Sequence, residues 1–433
     1  MRFLIPLFFL TIQTGMAQTI AECQLRFEKY LNLNGALNDR IKFESNAFYI
    51  LNEKKEKEFA VYANETKVLA DFFENSSITE QQKLYKLKGL NKLSKKQMDS
   101  LVMTMNDDSK LPKSHPAKPL QNIRVAIDPG HFSSNYEDSK VEGKYVKLVN
   151  EKSRKKDTIT LVEGQLTFLT AQVLKKMLEE QGAHVLMSRS KENTTAFNQS
   201  YTDWFNSRRN KVLDSLKQKK ELDDDKYKIL KQFPKEKLFW AFFRDYELME
   251  RAKKINNFYP HVSVIIHYNV DDKNSPWTTT SHRNNSMCFI SGAFGNKDLV
   301  KPANKLHFLR LLLGKQVHQS EAIGILTMNS FEKNLKITRA KQDDADYLMK
   351  HTVNTNCQGL FCRNLILTRC INSPLVYGES LYQDNTKESA MLSASNYDDY
   401  GVRTSERVYL VAKSYYEAIL NYFKDPEIKI SGR

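Results

Sequence analysis

"VAIDPGH", residues 125–131, decides how this chain is read. An apolar run from Val125 ends at Asp128-Pro129-Gly130, and His131 follows at once. Proline cannot donate to a strand ladder and glycine adopts almost any backbone angle, so a strand stops here. A lone histidine at such a break is usually part of a turn. In an open α/β sheet, however, ligands gather beyond the carboxyl ends of the strands. His131 therefore stands where a metal ligand would stand, and the rest of the chain must supply the others.

Downstream, strand and helix patterns alternate. "IRVAI" (123–127), "HVLMSR" (184–189), "VSVIIHYN" (262–269), "NLILTR" (364–369) and "SPLVYGE" (373–379) read as strands. "VSVIIHYN" is apolar at neighbouring positions, as a strand covered on both faces must be. "GQLTFLTAQVLKKMLEEQG", 164–182, places Leu166, Leu169, Val173, Leu174, Met177 and Leu178 on one helical face, with Gly182 as a stop. "ELMERAKKINNF" and "SERVYLVAKSYYEAILNYF" read as two more helices. Alternation of this kind predicts an α/β fold, a mostly parallel or mixed sheet flanked by helices. Two charged stretches, 191–248 and 298–356, read as helical insertions, either solvated or folded over a site. Residues 18–106 read as a small, mainly helical region, because "ITEQQKLYKLKGLNKLSKKQMDSLVMTM" has helical spacing. A proline-bearing linker, 107–121, separates it from a catalytic unit at 122–424, and 425–433 forms a tail.

Four chemistry-bearing side chains fall on one predicted rim. His131 lies beyond "VAID", His267 ends "VSVII", Glu379 follows "PLVYG", and Glu163 opens the helix at 164. Two neutral histidines and a carboxylate are a common catalytic zinc set, with a fourth position left open. A further carboxylate outside the ligand set serves as general base. The inventory is thus His131, Glu163 and His267 as ligands of Zn2+, and Glu379 as base. Asp128 is placed to hold a ring N–H of His131, although an aspartate there also suits turn capping.

These residues carry a resemblance. From about 122 to 424 the chain resembles the zinc-dependent N-acetylmuramoyl-L-alanine amidases, the amidase_3 family. "VAIDPGH" matches the family's opening strand, and "EGQLTFLTAQVLKKMLEEQGAHVLMSR" its ligand glutamate, helix and next strand. "RAKKIN" with "VIIHYN" matches its second histidine strand, and "PLVYGESLYQDN" its catalytic glutamate. The resemblance implies His131, Glu163 and His267 as zinc ligands and Glu379 as the catalytic glutamate. It also implies hydrolysis of the amide between N-acetylmuramic acid and L-alanine of peptidoglycan. Departures are visible. Phe132-Ser133 replaces the family's Gly-Gly, and Glu163 comes 32 positions after His131, beyond the family's usual gap. The extra residues read as a β-hairpin beside the metal, with Glu137, Glu142 and Glu151 as nearby rivals to Glu163. Some family members carry an inhibitory helix between the second histidine and the catalytic glutamate, so Glu332 or an acidic residue of "QDDAD" (342–346) is a candidate inhibitory ligand. Two rival functions stand beside this one: a zinc peptidase or amidase acting on another amide, and a non-catalytic wall-binding scaffold.

Composition agrees with an exported wall enzyme. The chain has 433 residues, 41% hydrophobic and 27% charged, with 24 Phe and 20 Tyr, which excludes a disordered polymer. A net charge of +15 draws anionic partners, and peptidoglycan stem peptides carry carboxylates. No recognised nucleic-acid motif accompanies the charge, so nucleic acid is not expected as a partner. Residues 1–17 read as a signal peptide: one early Arg2, an apolar run from Phe3 to Ile12, then Gly15-Met16-Ala17. The run is too short to span a membrane. Export to the periplasm or beyond follows as the expectation, with a protein activator left open. Export permits disulfides, so a Cys357–Cys362 or Cys362–Cys370 bridge is allowed among the five cysteines.

Overall fold

The computed structural model describes residues 19–76, 78–86, 88, 118–149 and 158–424. The signal segment, most of the linker, the end of the helical stretch at 78–105 and the tail lie outside them. The N-terminal part contributes helix α1 (Ile20–Arg26), strands β1 (Ile41–Glu44), β2 (Ala47–Leu51) and β3 (Lys57–Tyr62), and helices α2 (Thr66–Asn75) and α3 (Ile78–Lys86). Next come β4 (Arg124–Pro129), α4 (Tyr136–Glu142), β5 (Tyr145–Val149), β6 (Thr158–Val162), α5 (Glu163–Glu180) and β7 (His184–Met187). Four helices follow: α6 (Tyr201–Ser207), α7 (Arg209–Gln218), α8 (Asp224–Gln232) and α9 (Lys235–Leu238). A π turn then leads into α10 (Arg244–Phe258). The rest is β8 (Val262–Asn269), β9 (Asn285–Ile290), α11 (Pro302–Leu313), α12 (Gln316–Leu335), β10 (Thr338–Arg339), α13 (Asp346–His351), β11 (Thr352–Asn354), β12 (Leu360–Arg363), α14 (Ile366–Cys370), β13 (Leu375–Tyr382), α15 (Thr386–Ser393) and α16 (Glu406–Lys424).

An eight-stranded mixed sheet organises the molecule, in the order β11-β12-β9-β13-β8-β4-β7 with β10 alongside β9. The β7, β4, β8 and β13 neighbours are parallel, whereas β9 runs antiparallel to β13. Parallel neighbours need helical crossovers, and α5 and α10 supply two of them. β8 is buried from Val262 to Tyr268, as its unbroken apolar run requires. One sheet face is covered by α5, α12 and α16. The other meets α10 and α14 through Ala126, Ala252, Ile255, Ile265, Leu367 and Leu375. The stretch at 364–369 is not a strand. Leu365-Ile366-Leu367 is too short an apolar run to fix a period, and the Thr368 hydroxyl accepts from the Leu365 N–H at 2.9 Å, opening helix α14 instead. The neighbouring strand is β12, and its partner β9 carries no turn signal strong enough to mark it in advance.

The N-terminal region is not mainly helical. It holds a three-stranded antiparallel sheet, β1-β2-β3, in which Phe48, Ile50, Phe59 and Val61 are buried, with helices on either side. These strands are short, and their alternation is outweighed in the sequence by the helical spacing that follows. The region docks on α11 and α12. Lys305 meets Glu58 at 2.6 Å, Lys29 meets Glu321 at 3.0 Å, and the Arg26 guanidinium donates to the Leu312 carbonyl. All five cysteines are free thiols, so neither allowed bridge forms.

The two charged stretches differ in kind. Segment 191–248 forms a helical bundle with its own aromatic core: Tyr201, Trp204, Leu213, Leu230, Phe239 and Phe243. Phe132, directly after His131, is the sheet side's contribution to that core, with ring centroids 5.9 Å from Phe239 and 6.1 Å from Tyr201. Segment 298–356 is no appendage. Its helix α12 lies against β9, β13 and α16 with Val317, Ile323, Met328 and Phe331 fully buried. Phe132→Ala should cost about 3–5 kcal/mol of stability. Limited proteolysis should then cut within 201–243 before the sheet is touched. A bundle as resistant as in the parent protein would contradict this coupling.

Candidate metal centre

β4 and β8 set the first two positions. Gly130 N–H continues the ladder to the Ile266 carbonyl at 2.9 Å, and His131 then turns into the left-handed region at φ +56°. Gly130 is obligatory: a Cβ there would lie 2.3 Å from the His267 ring. The turn is held by buried arginines. Arg189, just after β7, donates to the carbonyls of Pro129 at 3.1 Å and Gly164 at 2.7 Å. Arg251 of α10 donates to the Pro129 carbonyl at 2.9 Å and the His131 carbonyl at 3.0 Å. Glu247 and Asp128 balance its charge. A left-handed histidine is strained, and this lattice is what keeps it in place.

The hairpin β5–β6 forms as expected, and Glu163 follows it directly as the first residue of α5. A carboxylate at a helix N-terminus is favoured by the dipole. Gly164 lets the helix approach the histidine loop, since a Cβ would meet the Ser133 carbonyl at 2.3 Å. Thr167 of the same helix donates to the Gly130 carbonyl at 2.6 Å. Glu163 thereby reaches both histidines: Oε2 is 3.3 Å from His131 Nε2, and Oε1 is 2.9 Å from His267 Nδ1.

His131, Glu163 and His267 are brought together, their ligand atoms all within 4.8 Å of one another. Two ligands on one tetrahedral zinc stand about 3.3 Å apart, given metal–ligand bonds near 2 Å. The His131–Glu163 separation matches that value, so the donor set and its spacing fit a divalent metal. Glu379 sits on β13 in register with His267 of β8, half-buried on the same rim. Two residues earlier, Tyr377 stacks on the His267 ring, with centroids 4.5 Å apart and planes 7° from parallel.

The support for His131 is not Asp128. That carboxylate accepts from Ser188 and pairs with Arg251, so it reaches the histidine only through the backbone. Glu142, at the end of α4, takes the ring instead: its Oε1 is 3.2 Å from His131 Nδ1, and its Oε2 accepts from the N–H groups of Phe132 and Ser133. The sequence had marked Glu142 as a rival ligand, and the helix turns it to the other ring nitrogen. Arg189 and Arg251 lay inside quoted motifs, but nothing in sequence spacing shows that both point at one turn. Glu332 is outside the cluster. It is largely exposed and pairs with Arg339 at 2.7 Å.

The charges are arranged around one carboxylate. Burial alone pushes the His131 imidazolium down, but Glu163 and Glu142 outweigh it and lift its pKa to about 9. Burial draws His267 down to about 4, only partly offset by Glu163. Glu142 is held at about 2 because His131 and the backbone N–H groups overcome its burial. Glu379 is raised to about 7 by burial and by the neighbouring Glu163 charge. Without metal, a protonated His131 thus supplies the positive charge that Glu163 requires.

A His/Glu/His cluster able to hold a metal, at the carboxyl ends of an open α/β sheet, defines the class as a metal-dependent hydrolase. The family model for N-acetylmuramoyl-L-alanine amidases matches residues 125–406, so the chain belongs to that family and is a peptidoglycan amidase. Among solved structures, it is similar to the CwlD amidase from Clostridioides difficile in complex with the GerS lipoprotein. That match has 13% identity and a TM-score of 0.39, and covers 70% of this chain and 99% of that one. It is also similar to the apo amidase Ami1 from Mycobacterium abscessus, at 14% identity and TM-score 0.37, covering 70% of this chain and 99% of the other. A third is the catalytic domain of CwlV from Bacillus (Paenibacillus) polymyxa var. colistinus, at 15% identity and TM-score 0.35, with coverage of 70% and 98%. No protein of curated function matches the chain.

Two measurements follow. Glu142→Gln should keep the fold and weaken metal affinity about 10–100-fold, read by competition with a chelating dye. Unchanged affinity would remove Glu142 from the site. Second, a ligand histidine must be neutral, so metal must displace the His131 proton. The raised pKa means that this proton stabilises the metal-free fold fully below about pH 6.5, and that the gain is lost as pH rises through about 9. Calorimetric titration of zinc in buffers of different ionisation heat should find about one proton released at pH 7, fading above about pH 9. A count near zero at pH 7 would contradict the assignment.

Proposed function

We propose that this chain is an exported amidase that uses zinc to hydrolyse the amide between N-acetylmuramic acid and L-alanine, with His131, Glu163 and His267 as ligands and Glu379 as general base. The observation that carries the reading is the convergence of those three ligand atoms on one rim, beside Glu379 on the adjoining strand. When bound there, zinc supplies Lewis acidity, polarising the amide carbonyl and making water acidic near neutral pH. Glu379 accepts the proton of the attacking water. Its raised pKa, about 7, also lets it return that proton to the leaving L-alanine nitrogen at neutral pH. Glu142 fixes the His131 ring, and Tyr377 fixes the plane of His267.

Export rests on the N-terminal sequence, Arg2 followed by the apolar run to Ile12 and the small residues at 15–17. It suits a family whose substrate lies outside the cytoplasm. Among the described residues no helix is long and apolar enough to cross a membrane. The division at 107–121, between a region at 18–106 and the catalytic unit at 122–424, is part of the same proposal. A protein activator remains part of it too.

Glu379→Gln should retain bound zinc and lose about 10²–10⁴-fold in kcat, whereas His131→Ala should lose both metal and turnover. The readouts are metal content and release of intact stem peptides from defined muropeptides by protein lacking residues 1–17. Near-normal turnover in Glu379→Gln would refute its role as base. Cleavage within the stem peptide would favour the peptidase reading.

A further inference from the structure

One cation beside the centre has no acidic partner at bonding distance. Arg363 ends β12 and is half-buried. Its guanidinium lies between two rings, 4.9 Å from the Phe289 centroid and 4.7 Å from the Tyr347 centroid. Among the described residues it enters no ion pair. Phe289 in turn contacts Tyr377, centroids 5.9 Å apart, and Tyr377 stacks on the ligand His267. Tyr377 and Glu379 point to the same face of β13, since strand side chains alternate. Tyr347 leans over that face as well, its hydroxyl 3.3 Å from the sulfur of Met287, the residue opposite Glu379 on β9. Arg363 thus belongs to the layer of side chains packed on the Glu379 face of β13.

Other cations near that face are differently placed. Arg283 is engaged by Asp271, Asp272 and the Asp344 carbonyl. Lys144, at the start of the hairpin, acts by its charge on Glu163 and, like Arg363, on Glu379, but no ring packs against it. Arg363, held by two rings and engaged by no carbonyl or carboxylate among the described residues, is pre-set. A guanidinium presents a planar fork of donors that matches a carboxylate in two parallel hydrogen bonds. Aromatic faces hold that fork, so little freedom is lost when an anion arrives.

We propose that Arg363 is a specificity-determining residue that grips a free carboxylate of the stem peptide, on the leaving side of the scissile amide. The proposal rests on the amidase reading, and the anion it calls for is one that stem peptides carry.

The test uses the zinc-loaded chain and two muropeptides, identical except that the carboxylate on the residue after L-alanine is free or amidated. The parent protein should favour the free acid by about 10–100-fold in kcat/KM, mostly through KM. Arg363→Gln should treat the two alike, and Arg363→Lys should keep part of the preference, which guards against simple misfolding. Calorimetry with the isolated stem peptides should show the same pattern in binding. An indifferent parent protein, or a preference that survives Arg363→Gln, overturns the proposal. So does a preference erased by Lys144→Gln and kept by Arg363→Gln. If neither muropeptide is cleaved, yet peptide binding still depends on both Arg363 and the carboxylate, the amidase reading fails while the carboxylate grip stands.

Discussion

Everything at the centre depends on a turn that a protein chain would not adopt unaided. His131 follows a buried strand in a left-handed conformation, with the His267 ring close enough to exclude any side chain at position 130. Its cost, of order 1–3 kcal/mol, must be met by surrounding contacts. Two buried arginines meet it by donating to three successive carbonyls, those of Pro129, Gly130 and His131. Such cations are expensive to bury and are tolerated only when paired. Asp128 and Glu247 serve that purpose for Arg251, so the aspartate of the opening motif is a structural anchor.

Around that turn, charge is shared economically. Glu163 faces both histidines, and Glu142 faces only His131. The asymmetry explains why burial leaves His267 neutral while His131 holds a proton in the absence of metal. The Glu379 carboxyl resists ionisation through its burial first and the neighbouring Glu163 charge second. A group that exchanges its proton near neutrality is what acid–base chemistry on an amide requires.

The sequence was most legible where burial and function coincide. β8 was readable as a strand from its apolar run, α5 from its period, and the cluster of His131, Glu163 and His267 from two strand ends and a helix start. It was least legible where a residue's role depends on a partner far along the chain. Glu142 and Asp128 are both acids near His131, and only helix α4 decides which one reaches the ring. β9 escaped notice because its six residues are buried on both faces and so show no alternation of their own. The small N-terminal sheet was masked by the stronger helical spacing after it, and α14 by an apolar run too short to carry a period. Segment 298–356 looked like an insertion because of its charge, yet its α12 is a wall of the core and its α13 places Tyr347 over the catalytic face.

The register of the sheet has a consequence for how the protein comes into being. His131 lies just past the end of β4, His267 near the end of β8, and Glu379 on β13, neighbours in space that are more than a hundred residues apart along the chain. Such pairings form slowly, because distant segments must meet before any contact rewards them. A zinc finger gathers nearby ligands around its ion and folds through it. Here a growing chain holds at most one histidine of the pair until β8 has been made. A metal held by this cluster would therefore be a late arrival, admitted to a frame already built.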